Sequence, residues 1–492
     1  MLEREAKLSA PPDFTLPDLT DPDGVVAEPL PARQLRTTYY DTPDLRLARW
    51  GASLRHRSGE GWTVKLAGEG IGPLLARQEL VFDGPPTQPP DAAVDLLRAY
   101  VRDAQLGPVA RLRTIRHPVE LRDRAGQRLG ELTDDRVVVL DGRRVSRRFR
   151  EIEAELAEQA PDGALDGVVR RLRDAGATPA EVATKYLQAL GNPEPGPAEV
   201  LVPEIDRNAT VGELVRHDLA ESVLRLLRHD PVVRLGEDPE GVHQARVATR
   251  RLRSSLRTFR RVLDPDWTSR LRERARWLAD RLGAVRDADV LLGRLEGHLA
   301  MLEEPDAEAA QWLLDRLGKE REAARAKLLA ALREGAYVQL LDELLLAAST
   351  PQVLDEGQPA VDVLVPRVAR TWRRLRTEVR QAGPDPSDAQ LHRIRIRAKR
   401  CRYAAEAVVP VAGRPAERFA GAVEAVQDVL GNHHDAVVAQ EWLRGAAADA
   451  PPASALAAGQ LIAAERALAD RTRAQWQAAW RNLDRKKLRA WM

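Results

Sequence analysis

One short segment of this 492-residue chain carries cations at regular helical spacing. His243, Arg246, Arg250, Arg253 and Arg257 stand at positions i, i+3, i+7, i+10 and i+14. At about 100° per residue in an α-helix, these five side chains project from one face. Such a row can bind a chain of phosphates through charge-assisted hydrogen bonds, although a single basic run is more simply a solvated face.

The same spacing returns 149 residues later in a second set of cations: His392, Arg395, Lys399 and Arg402. Each basic segment is followed by a Leu-Gly-x2-(Arg/His)-Asp-Ala-x-Val motif, at residues 282–290 and 430–438. This self-similarity predicts a duplicated unit with halves at about 204–350 and 360–492, each offering one cationic helix and one glycine turn. We expect the two cationic helices to face each other across a groove.

In the first 190 residues, charged side chains recur instead at every second residue, as they do on one face of a β-strand. The clearest cases are Glu3, Glu5 and Lys7, then Arg55 and Arg57 with Lys65, and then Glu151, Glu153 and Glu155. On an open sheet such a charged face is simply exposed to solvent. In a sheet closed into a barrel, the carboxylates and the cations would instead line one shared interior. Carboxylates there could hold hard divalent cations, the basic residues could neutralise phosphates, and a metal-held water could attack phosphorus.

The elements that position these residues fall into two domains. Residues 1–191 contain antiparallel strands with a few helices, including a hairpin turn at Asp141-Gly142. Residues 204–492 contain helical patterns rich in Ala, Leu, Arg and Glu. The proline-rich stretch 192–203 separates them as a semi-rigid linker.

Composition narrows the classes of function. The net charge of +2 is too small to create the strong positive potential that is typical of general nucleic-acid-binding proteins. The sequence predicts no membrane span and no secretory signal, and its single cysteine, Cys401, fits a reducing compartment. We expect a cytoplasmic protein without a membrane partner, and its oligomeric state does not follow from the sequence.

The N-terminal motifs resemble the CYTH, or triphosphate tunnel metalloenzyme, family. The stretch "EREAK" is similar to the family's Glu-x-Glu-x-Lys signature, and further segments follow in the family's order: "YYDTPDLRLARWGASLRHR", "WTVKL", "LRTIR", "ELTDDRV", "FREIEAEL" and "TKYLQAL". The resemblance covers nearly all of residues 1–191. It implies a closed, eight-stranded antiparallel β-barrel, a tunnel flanked by helices, that hydrolyses triphosphate substrates with Mg²⁺ or Mn²⁺.

The same resemblance implies roles for individual residues. The metal would be bound by Glu3, Glu5, Glu151 and Glu153, with help from Glu131 and from Asp134 or, alternatively, Asp135. The phosphates would be held by Lys7, Arg55, Arg57, Lys65, Arg113 and Arg116, and catalysis would use Lys65 and Lys185. The family often shows adjacent glutamates where this chain has Gln78 before Glu79, so the metal contribution of that strand is open and Glu79 is otherwise a surface carboxylate.

The second half resembles the CHAD family, a histidine-containing α-helical domain, through "VHQARVATRRLRSSLRTF", "LGAVRDADV", "LHRIRIRAKRCRYAAE" and "LGNHHD". The resemblance implies two pseudo-symmetric helical bundles with a basic channel for inorganic polyphosphate. We expect the contacts to be His243, Arg246, Arg250, Arg253, His392, Arg395, Lys399, Arg402 and His434. Arg286 is a further candidate, and pairing with Asp287 or Asp435 is the alternative for Arg286 and His434. Since nearby phosphate favours charged histidine, polyphosphate binding should tighten in mild acid.

Together, the two resemblances predict a multidomain α+β fold, with an N-terminal closed antiparallel β-barrel and a C-terminal all-α pair of helical bundles. The predicted function is metal-dependent hydrolysis of inorganic triphosphate, or of nucleoside or thiamine triphosphate, together with polyphosphate binding. Polyphosphate granules of the cytoplasm are a candidate location.

Three alternatives stay open at this point. The chain could be a non-catalytic polyphosphate-binding or targeting protein. A nucleic-acid binder is disfavoured, because the basic helices hold few aromatic residues for base stacking. Adenylate cyclase activity, which some members of the first family have, needs an adenine pocket that the sequence does not locate.

Overall fold

The computed structural model describes residues 2–3, 5–20, 24–67, 77–157, 159–161, 163–179, 185–191 and 196–492. The chain divides into two compact units, residues 1–199 and residues 200–492. The first unit holds an antiparallel sheet with helices and the second is helical, which confirms the predicted multidomain α+β fold.

The first unit is built on an 11-stranded sheet in which all paired strands are antiparallel. Its strands are β1 (Leu2–Glu3), β2 (Glu5–Ala10), β3 (Val25–Pro29), β4 (Arg33–Asp41), β5 (Ser53–Arg57), β6 (Gly61–Ala67), β7 (Arg77–Phe82), β8 (Gly107–Asp123), β9 (Arg128–Asp141), β10 (Arg144–Leu156) and β11 (Thr178–Pro179). The order in space is β1-β7-β6-β5-β4-β8-β9-β10-β2-β11, and β3 pairs with β8.

The strands β1 and β2 are neighbours in sequence but stand near opposite ends of this strand order. Glu3 of β1 pairs with Arg77 of β7, whereas Lys7 of β2 pairs with Glu153 of β10. Only residue 4 separates β1 from β2, and it lies outside the described residues. The described strands therefore form an 11-stranded antiparallel sheet that is not closed, so the predicted closed, eight-stranded barrel is not observed among them.

Strand alternation separates an apolar face from a charged face. In β10, Ile152 and Ala154 are buried in an apolar cluster with Leu132 of β9 and Leu8 of β2. Glu153, between the two apolar residues of β10, therefore faces the opposite side. The hairpin predicted at Asp141-Gly142 is confirmed, since β9 ends at Asp141 and β10 begins at Arg144.

In the described part of the first unit, four helices accompany the sheet: α1 (Arg46–Arg49), α2 (Asp91–Val101), α3 (Asp166–Asp174) and α4 (Lys185–Leu190). The short helix α4 is fixed against β4 by Tyr186. Its ring stacks on Tyr39 at a centroid distance of 5.1 Å, and its hydroxyl donates a hydrogen bond of 2.6 Å to Asp41 Oδ2. These contacts set the position of the neighbouring Lys185.

The second unit contains ten helices, and the structure describes all of its residues. They are α5 (Val211–Leu235), α6 (Pro239–Thr258), α7 (Pro265–Leu299), α8 (Glu304–Arg333), α9 (Gly335–Ser349), α10 (Ala360–Ala382), α11 (Asp388–Glu406), α12 (Val409–Ala412), α13 (Arg414–Ala447) and α14 (Pro452–Leu483). A 3-10 turn at Lys486–Arg489 follows. No described helix combines the length and the apolar character that crossing a bilayer requires.

The two basic segments are helices with defined starts. Asp238 caps α6 by accepting a hydrogen bond of 2.7 Å from the Glu240 amide, and Pro239 occupies the first helical position. Ser387 and Gln390 form a capping box at the start of α11.

The predicted glycine turns are wrong. The first motif, residues 282–290, lies inside α7, and the second, residues 430–438, lies inside α13. Each glycine leaves room for an arginine of a basic helix. A Cβ on Gly283 would lie 4.0 Å from Arg246 Cζ, and one on Gly431 would lie 3.8 Å from Arg395 Nε.

The aspartate of each motif, one helical turn after the glycine, faces the same arginine. Arg246 Nη1 lies 2.5 Å from Asp287 Oδ1, and Arg395 Nη2 lies 4.0 Å from Asp435 Oδ1. The repeated motif is therefore a surface against which the repeated arginine packs, because residues i and i+4 share one helix face.

Candidate functional site

A cavity of 210 Å³ opens in the first unit. Its described lining contains six cations and five carboxylates: Lys7, Arg55, Arg57, Lys65, Arg116 and Lys185, with Glu60, Glu79, Glu131, Glu153 and Glu155. Tyr39, Ser53, Thr133 and Tyr186 also line it. The fold thus brings together charges of both signs from strands far apart in sequence.

Lys185 of α4 lies among three carboxylates. Its Nζ is 2.6 Å from Asp135 Oδ2, 2.8 Å from Glu153 Oε2 and 3.3 Å from Glu151 Oε1. Burial disfavours the charge of Lys185, but these carboxylates raise its pKa above the ordinary lysine value. The ammonium group therefore stays charged and balances part of the negative charge.

Two carboxyl groups of β10 have pKa values displaced in opposite directions. Burial raises the pKa of Glu151 to about 7. Burial also opposes the charge of Glu153, but Lys185 and Lys7 hold its pKa well below the ordinary value, and Lys7 Nζ is 2.9 Å from Glu153 Oε1. Neighbouring acids whose pKa values diverge in this way are typical of functional sites.

A second group of charges surrounds Glu79 on β7. Glu79 Oε1 accepts a hydrogen bond of 3.0 Å from Arg55 Nη2, and Lys65 Nζ lies 2.7 Å from Glu79 Oε2. Burial opposes the charge of Arg55, but Tyr39 and Glu79 raise its pKa. Glu79 therefore holds two cations at the cavity wall and is not the surface carboxylate that the sequence left as an alternative.

Arg116 and Arg57 complete the basic part of the lining. Arg116 makes a bidentate pair with Asp135, at 2.8 Å and 2.7 Å, and lies 3.5 Å from Glu153 Oε2. Arg57 donates to Thr37 Oγ1 at 3.3 Å and to Glu60 Oε2 at 3.0 Å. These forked groups are suited to bind phosphate oxygens.

Most of the predicted first-unit residues whose side chains are described meet at this cavity. Lys7, Arg55, Arg57, Lys65, Arg116, Lys185, Glu131 and Glu153 line it, and Glu151 contacts Lys185. Glu5 lies opposite Glu155 by strand register. The side chains of Glu3 and Glu5 lie outside the described part of the chain, so their metal-binding roles stay predictions.

Two predicted residues are not brought to the cavity. Arg113 is exposed and does not line it, because an odd separation from Arg116 places the two on opposite faces of β8. Asp134 is buried in a bidentate pair with Arg150, at 2.7 Å and 2.6 Å. Asp135, the alternative to Asp134, is the aspartate that reaches the Lys185 cluster.

Six lining residues were not predicted as site residues from the sequence: Tyr39, Ser53, Glu60, Thr133, Glu155 and Tyr186. Tyr39 and Tyr186 stand in the "YYDTP" and "TKYLQ" segments, which supplied only the order of motifs. Glu60 and Glu155 also reach the cavity. For Glu155, the alternation with Glu151 and Glu153 was an available signal.

The described side chains fit a divalent cation in their chemistry, although no group of three or more His, Cys, Asp or Glu among them is arranged as a ready metal site. Asp135, Glu151 and Glu153 converge on the Lys185 ammonium. Glu151 Oε1 is buried and, apart from its ion pair with Lys185, accepts no hydrogen bond. Carboxylate oxygens of this kind are the ligands that Mg²⁺ and Mn²⁺ prefer.

The second unit contains a groove of 660 Å³ between helices that include α6, α11 and α13. We name it the histidine groove. The basic residues of its lining are Arg225, His243, Arg250, Arg251, Arg395, Lys399 and Arg402. The lining also includes Glu406, Glu424, Asp428 and Asp435. The two basic helices thus contribute to one groove, as the repeat predicts.

Lys399 is the most perturbed cation of the histidine groove. Burial and the nearby charges of Arg395, Arg250 and Arg246 lower the pKa of Lys399 to about 7, although Asp435 acts in the opposite direction. A bound anion would oppose this effect. Lys399 is therefore the groove residue whose charge is most sensitive to pH near neutrality.

The predicted histidines are less basic than an exposed histidine. Burial and neighbouring cations lower the pKa of His243, of His392 and, to about 4, of His434. His392 Nδ1 lies 3.2 Å from His434 Nδ1, so one ring donates to the other. The histidines are therefore neutral at pH 7 before any anion binds.

The remaining predicted contacts have other surroundings. Arg246 contacts Asp287 and the Gly283 carbonyl, and its charge acts on Lys399. Arg253 does not line the histidine groove, and charges from α7 act on it. His392 and His434 do not line the groove. The charges of Arg395 and Lys399, which do line it, nevertheless lower the pKa of both histidines.

Comparison with known proteins agrees with both halves of this description. The family model of the CYTH domain matches residues 1–180, and that of the CHAD domain matches residues 217–444. Two uncharacterized proteins, from two strains of Mycobacterium tuberculosis, are each 32% identical over 493 residues, which covers 94% of this chain and 92% of theirs.

Several solved structures match parts of this chain. PptA from Streptomyces chartreusis is 25% identical with a TM-score of 0.48, and the match covers 56% of this chain and 100% of that one. The CHAD domain of the plant Ricinus communis is 29% identical with a TM-score of 0.47, over 57% of this chain and 94% of that one. A Hippeastrum protein, described as an adenylyl cyclase candidate with a dominant triphosphatase activity, is 14% identical with a TM-score of 0.25, over 39% of this chain and 96% of that one.

The fold and the two sites define a protein with a domain of the triphosphate tunnel type followed by a helical domain with a basic groove. The chain belongs to the family of proteins that join a CYTH domain to a CHAD domain.

Proposed function

We propose that the first unit hydrolyses inorganic triphosphate, or a related triphosphate-bearing substrate, with a divalent cation, and that the second unit binds inorganic polyphosphate. The observation that carries the catalytic part is the cavity whose described lining holds six cations, one of which, Lys185, contacts a cluster of carboxylates. A triphosphate is a short chain of negative charge, and such a cavity can hold it along its basic wall.

The basic residues would bind and orient the phosphate chain. Arg57 and Arg116 present forked guanidinium groups, whereas Lys7 and Lys65 present ammonium groups that can follow the phosphates as they move. Glu79 keeps Arg55 and Lys65 directed into the cavity. We expect these cations to stabilise the charge that develops on the leaving phosphate, and Lys65 and Lys185 remain the proposed catalytic lysines.

The carboxylates would form the metal-binding part. Glu151, Glu153 and Asp135, together with Glu3 and Glu5 from the N-terminal strand, would hold Mg²⁺ or Mn²⁺. When bound, such a cation neutralises phosphate charge and lowers the pKa of a coordinated water. Lys185 would hold the cluster together and limit its negative charge.

In the second unit, the histidine groove would hold a polyphosphate chain. The proposed contacts on α6 and α11 are His243, Arg250, Arg395, Lys399 and Arg402, with His392, His434 and Arg246 nearby and Arg253 on the α7 side. Nucleic acid is not the favoured ligand, because Tyr403 is the single Tyr, Trp or Phe in the groove lining of this fully described unit. The guanidinium groups of Arg250 and Arg402 lie over its ring at 5.9 Å and 6.0 Å, where a base would have to stack.

A phosphate-release screen tests the catalytic part. The full chain would be assayed with tripolyphosphate, ATP, thiamine triphosphate and long-chain polyphosphate, each with Mg²⁺ and with Mn²⁺. We expect metal-dependent orthophosphate release from at least one triphosphate. Absence of release from all of them, from a protein that is folded, would contradict the catalytic part.

The second candidate function is polyphosphate binding without catalysis. It is favoured by the ion pairs inside the cavity. Each carboxylate named in the Lys185 and Glu79 clusters already contacts a Lys or Arg side chain, which competes with a metal ion for that carboxylate. Tight binding of long-chain polyphosphate without phosphate release would support this candidate over the first.

A further inference from the structure

A second basic cavity, of 310 Å³, lies elsewhere in the helical unit. We name it the arginine pocket. Nine arginines line it: Arg257, Arg260, Arg261, Arg272, Arg367, Arg370, Arg374, Arg397 and Arg400. Ser254, Thr258 and Thr371 complete the lining, and the pocket shares no lining residue with the histidine groove in this fully described unit.

The positive charge of the arginine pocket is almost uncompensated. Within residues 200–492, all of which the structure describes, Arg397 is the one pocket arginine with a carboxylate partner, Glu378 at 3.5 Å. Arg367 Nη1 and Arg272 Nε are buried without a hydrogen-bond partner. Burial and neighbouring arginines lower the pKa of Arg257 to about 10. Like charges held together in this way favour the binding of an anion.

The arginine pocket is not a simple consequence of the internal repeat. The 149-residue offset that relates His243 to His392 also relates each pocket position on α10 and α11 to a position on α5 and α6. The counterparts of Arg367, Arg370, Arg374, Arg397 and Arg400 are Asp218, Glu221, Arg225, Ala248 and Arg251. Two arginines thus correspond to acids and one to alanine. In the first half, Glu221 pairs with Arg251 at 3.5 Å, so the corresponding surface is neutralised.

The lining also restricts the chemistry of the ligand. It contains no Trp, Tyr, Phe or His and no carboxylate, so it offers neither a stacking surface for a base nor ligands for a cation. Guanidinium groups bind phosphate oxygens in bidentate geometry. Hydroxyl groups of Ser254, Thr258 and Thr371 are available as further donors, although Thr258 and Thr371 also bond backbone carbonyls.

We propose that the arginine pocket is a second, independent binding site for phosphate chains, separate from the histidine groove. The proposal rests on the proposed function in so far as it assigns an anion of the same chemistry. The ligand is either a free short oligophosphate or a stretch of a long polyphosphate. Because the pocket contains arginine and no histidine or lysine, its own charge should not change between about pH 6 and pH 8.5, and its binding of the internal phosphates of a long chain should be constant over that range.

Three double variants of the full chain test this proposal. The pocket variant is Arg257→Gln with Arg370→Gln, and the groove variant is Arg395→Gln with Lys399→Gln. The control, Arg270→Gln with Arg380→Gln, removes the same charge from exposed positions outside both cavities. Binding of fluorescent long-chain polyphosphate and of tripolyphosphate would be measured in EDTA, so that hydrolysis does not interfere.

We expect the pocket variant to bind long-chain polyphosphate about tenfold or more weakly than the control, because two charge-assisted contacts are lost. The groove variant should retain binding that is independent of pH. If tripolyphosphate also loses one site per chain in the pocket variant, a short oligophosphate is the ligand. If the affinity falls for the long chain alone, the pocket holds a stretch of polyphosphate.

A pocket variant with the same affinity and the same number of sites per chain as the control would overturn the proposal. If the groove variant abolishes binding at the same time, the proposed polyphosphate binding stands and the second site fails. If the wild-type chain binds no polyphosphate, both fail. Folding is checked by thermal unfolding. Added pyrophosphate should raise the Tm of the control more than that of the pocket variant, and equal shifts would also contradict the second site.

Discussion

The Lys185 ammonium lies 2.6 Å from the Asp135 carboxylate, although 50 residues separate the two in sequence. Lys185 reaches this position because Tyr186, the next residue of α4, stacks on Tyr39 and donates a hydrogen bond to Asp41. The ion pair therefore links the packing of a short helix to the charge balance of the cavity.

Replacing Lys185 by methionine should destabilise the chain and strengthen metal binding. The change leaves Asp135, Glu151 and Glu153 without their shared cation, and breaking a buried ion pair costs about 3 kcal/mol. Because the freed carboxylates can hold Mn²⁺, added Mn²⁺ should raise the Tm of Lys185→Met more than that of the wild type. Differential scanning fluorimetry measures both effects. Lys185→Arg is the control, and an equal Mn²⁺ shift in all three proteins would contradict the metal assignment.

Arg116 and Arg113 provide a matched pair on β8. Arg116 lines the cavity, whereas Arg113 is exposed on the other face of the strand. Arg116→Gln should lower kcat/KM for tripolyphosphate about a hundredfold, because a preorganised cationic donor is lost. Arg113→Gln should leave kcat/KM within about twofold of the wild type. Steady-state kinetics decide, and similar losses in both variants would show that Arg116 has no special role.

Asp134 and Asp135 should separate stability from activity. Asp134→Asn breaks the buried pair with Arg150 and should lower the free energy of unfolding by about 3 kcal/mol while leaving kcat nearly unchanged. Asp135→Asn removes a contact of Lys185 and Arg116 and should lower kcat. Urea unfolding and phosphate release test the pair. A large loss of kcat in a well-folded Asp134→Asn protein would contradict the assignment.

Polyphosphate binding in the histidine groove, measured in the pocket variant, should weaken as the pH rises above 7. Lys399, whose pKa is about 7 among Arg395, Arg250, Arg246 and Asp435, becomes fully charged when phosphates bind, so binding takes up a proton. The affinity is therefore highest below pH 7. It falls as the pH rises from 7 towards the higher pKa that Lys399 has in the complex.

The change in Kd between about pH 6.5 and pH 8.5, at constant ionic strength, should be roughly tenfold, since affinity can fall at most tenfold per pH unit for one proton. Lys399→Arg should remove this part of the pH dependence. An unchanged slope in Lys399→Arg would show that another group titrates. The histidines should contribute at lower pH, because their pKa values are depressed in the free groove.

Local pattern predicted the main elements of the site. The alternation of Glu151 and Glu153 gave a strand with one charged face, and the helical spacing of His243 and Arg250 gave one face of α6. Spacing could also have excluded Arg113, because residues three apart on a strand cannot share a face with Arg116.

Other features depend on tertiary structure. Asp134 and Asp135 are adjacent, and only the register of β9 against β10 decides which one faces the cavity. The glycine motifs resembled turns, but Gly283 and Gly431 serve close packing against Arg246 and Arg395 inside long helices. The arginine pocket combines Arg257 of α6 with Arg370 of α10 and Arg400 of α11, and no local pattern relates these three residues.

The rate of orthophosphate release from tripolyphosphate by the wild type and by Glu153→Gln tests the central claim most directly. Glu153 contacts Lys7, Lys185 and Arg116 and is a proposed metal ligand. We predict release that requires Mg²⁺ or Mn²⁺, stops in EDTA and falls about a hundredfold or more in Glu153→Gln. Release that is unaffected by EDTA and by Glu153→Gln would contradict the account.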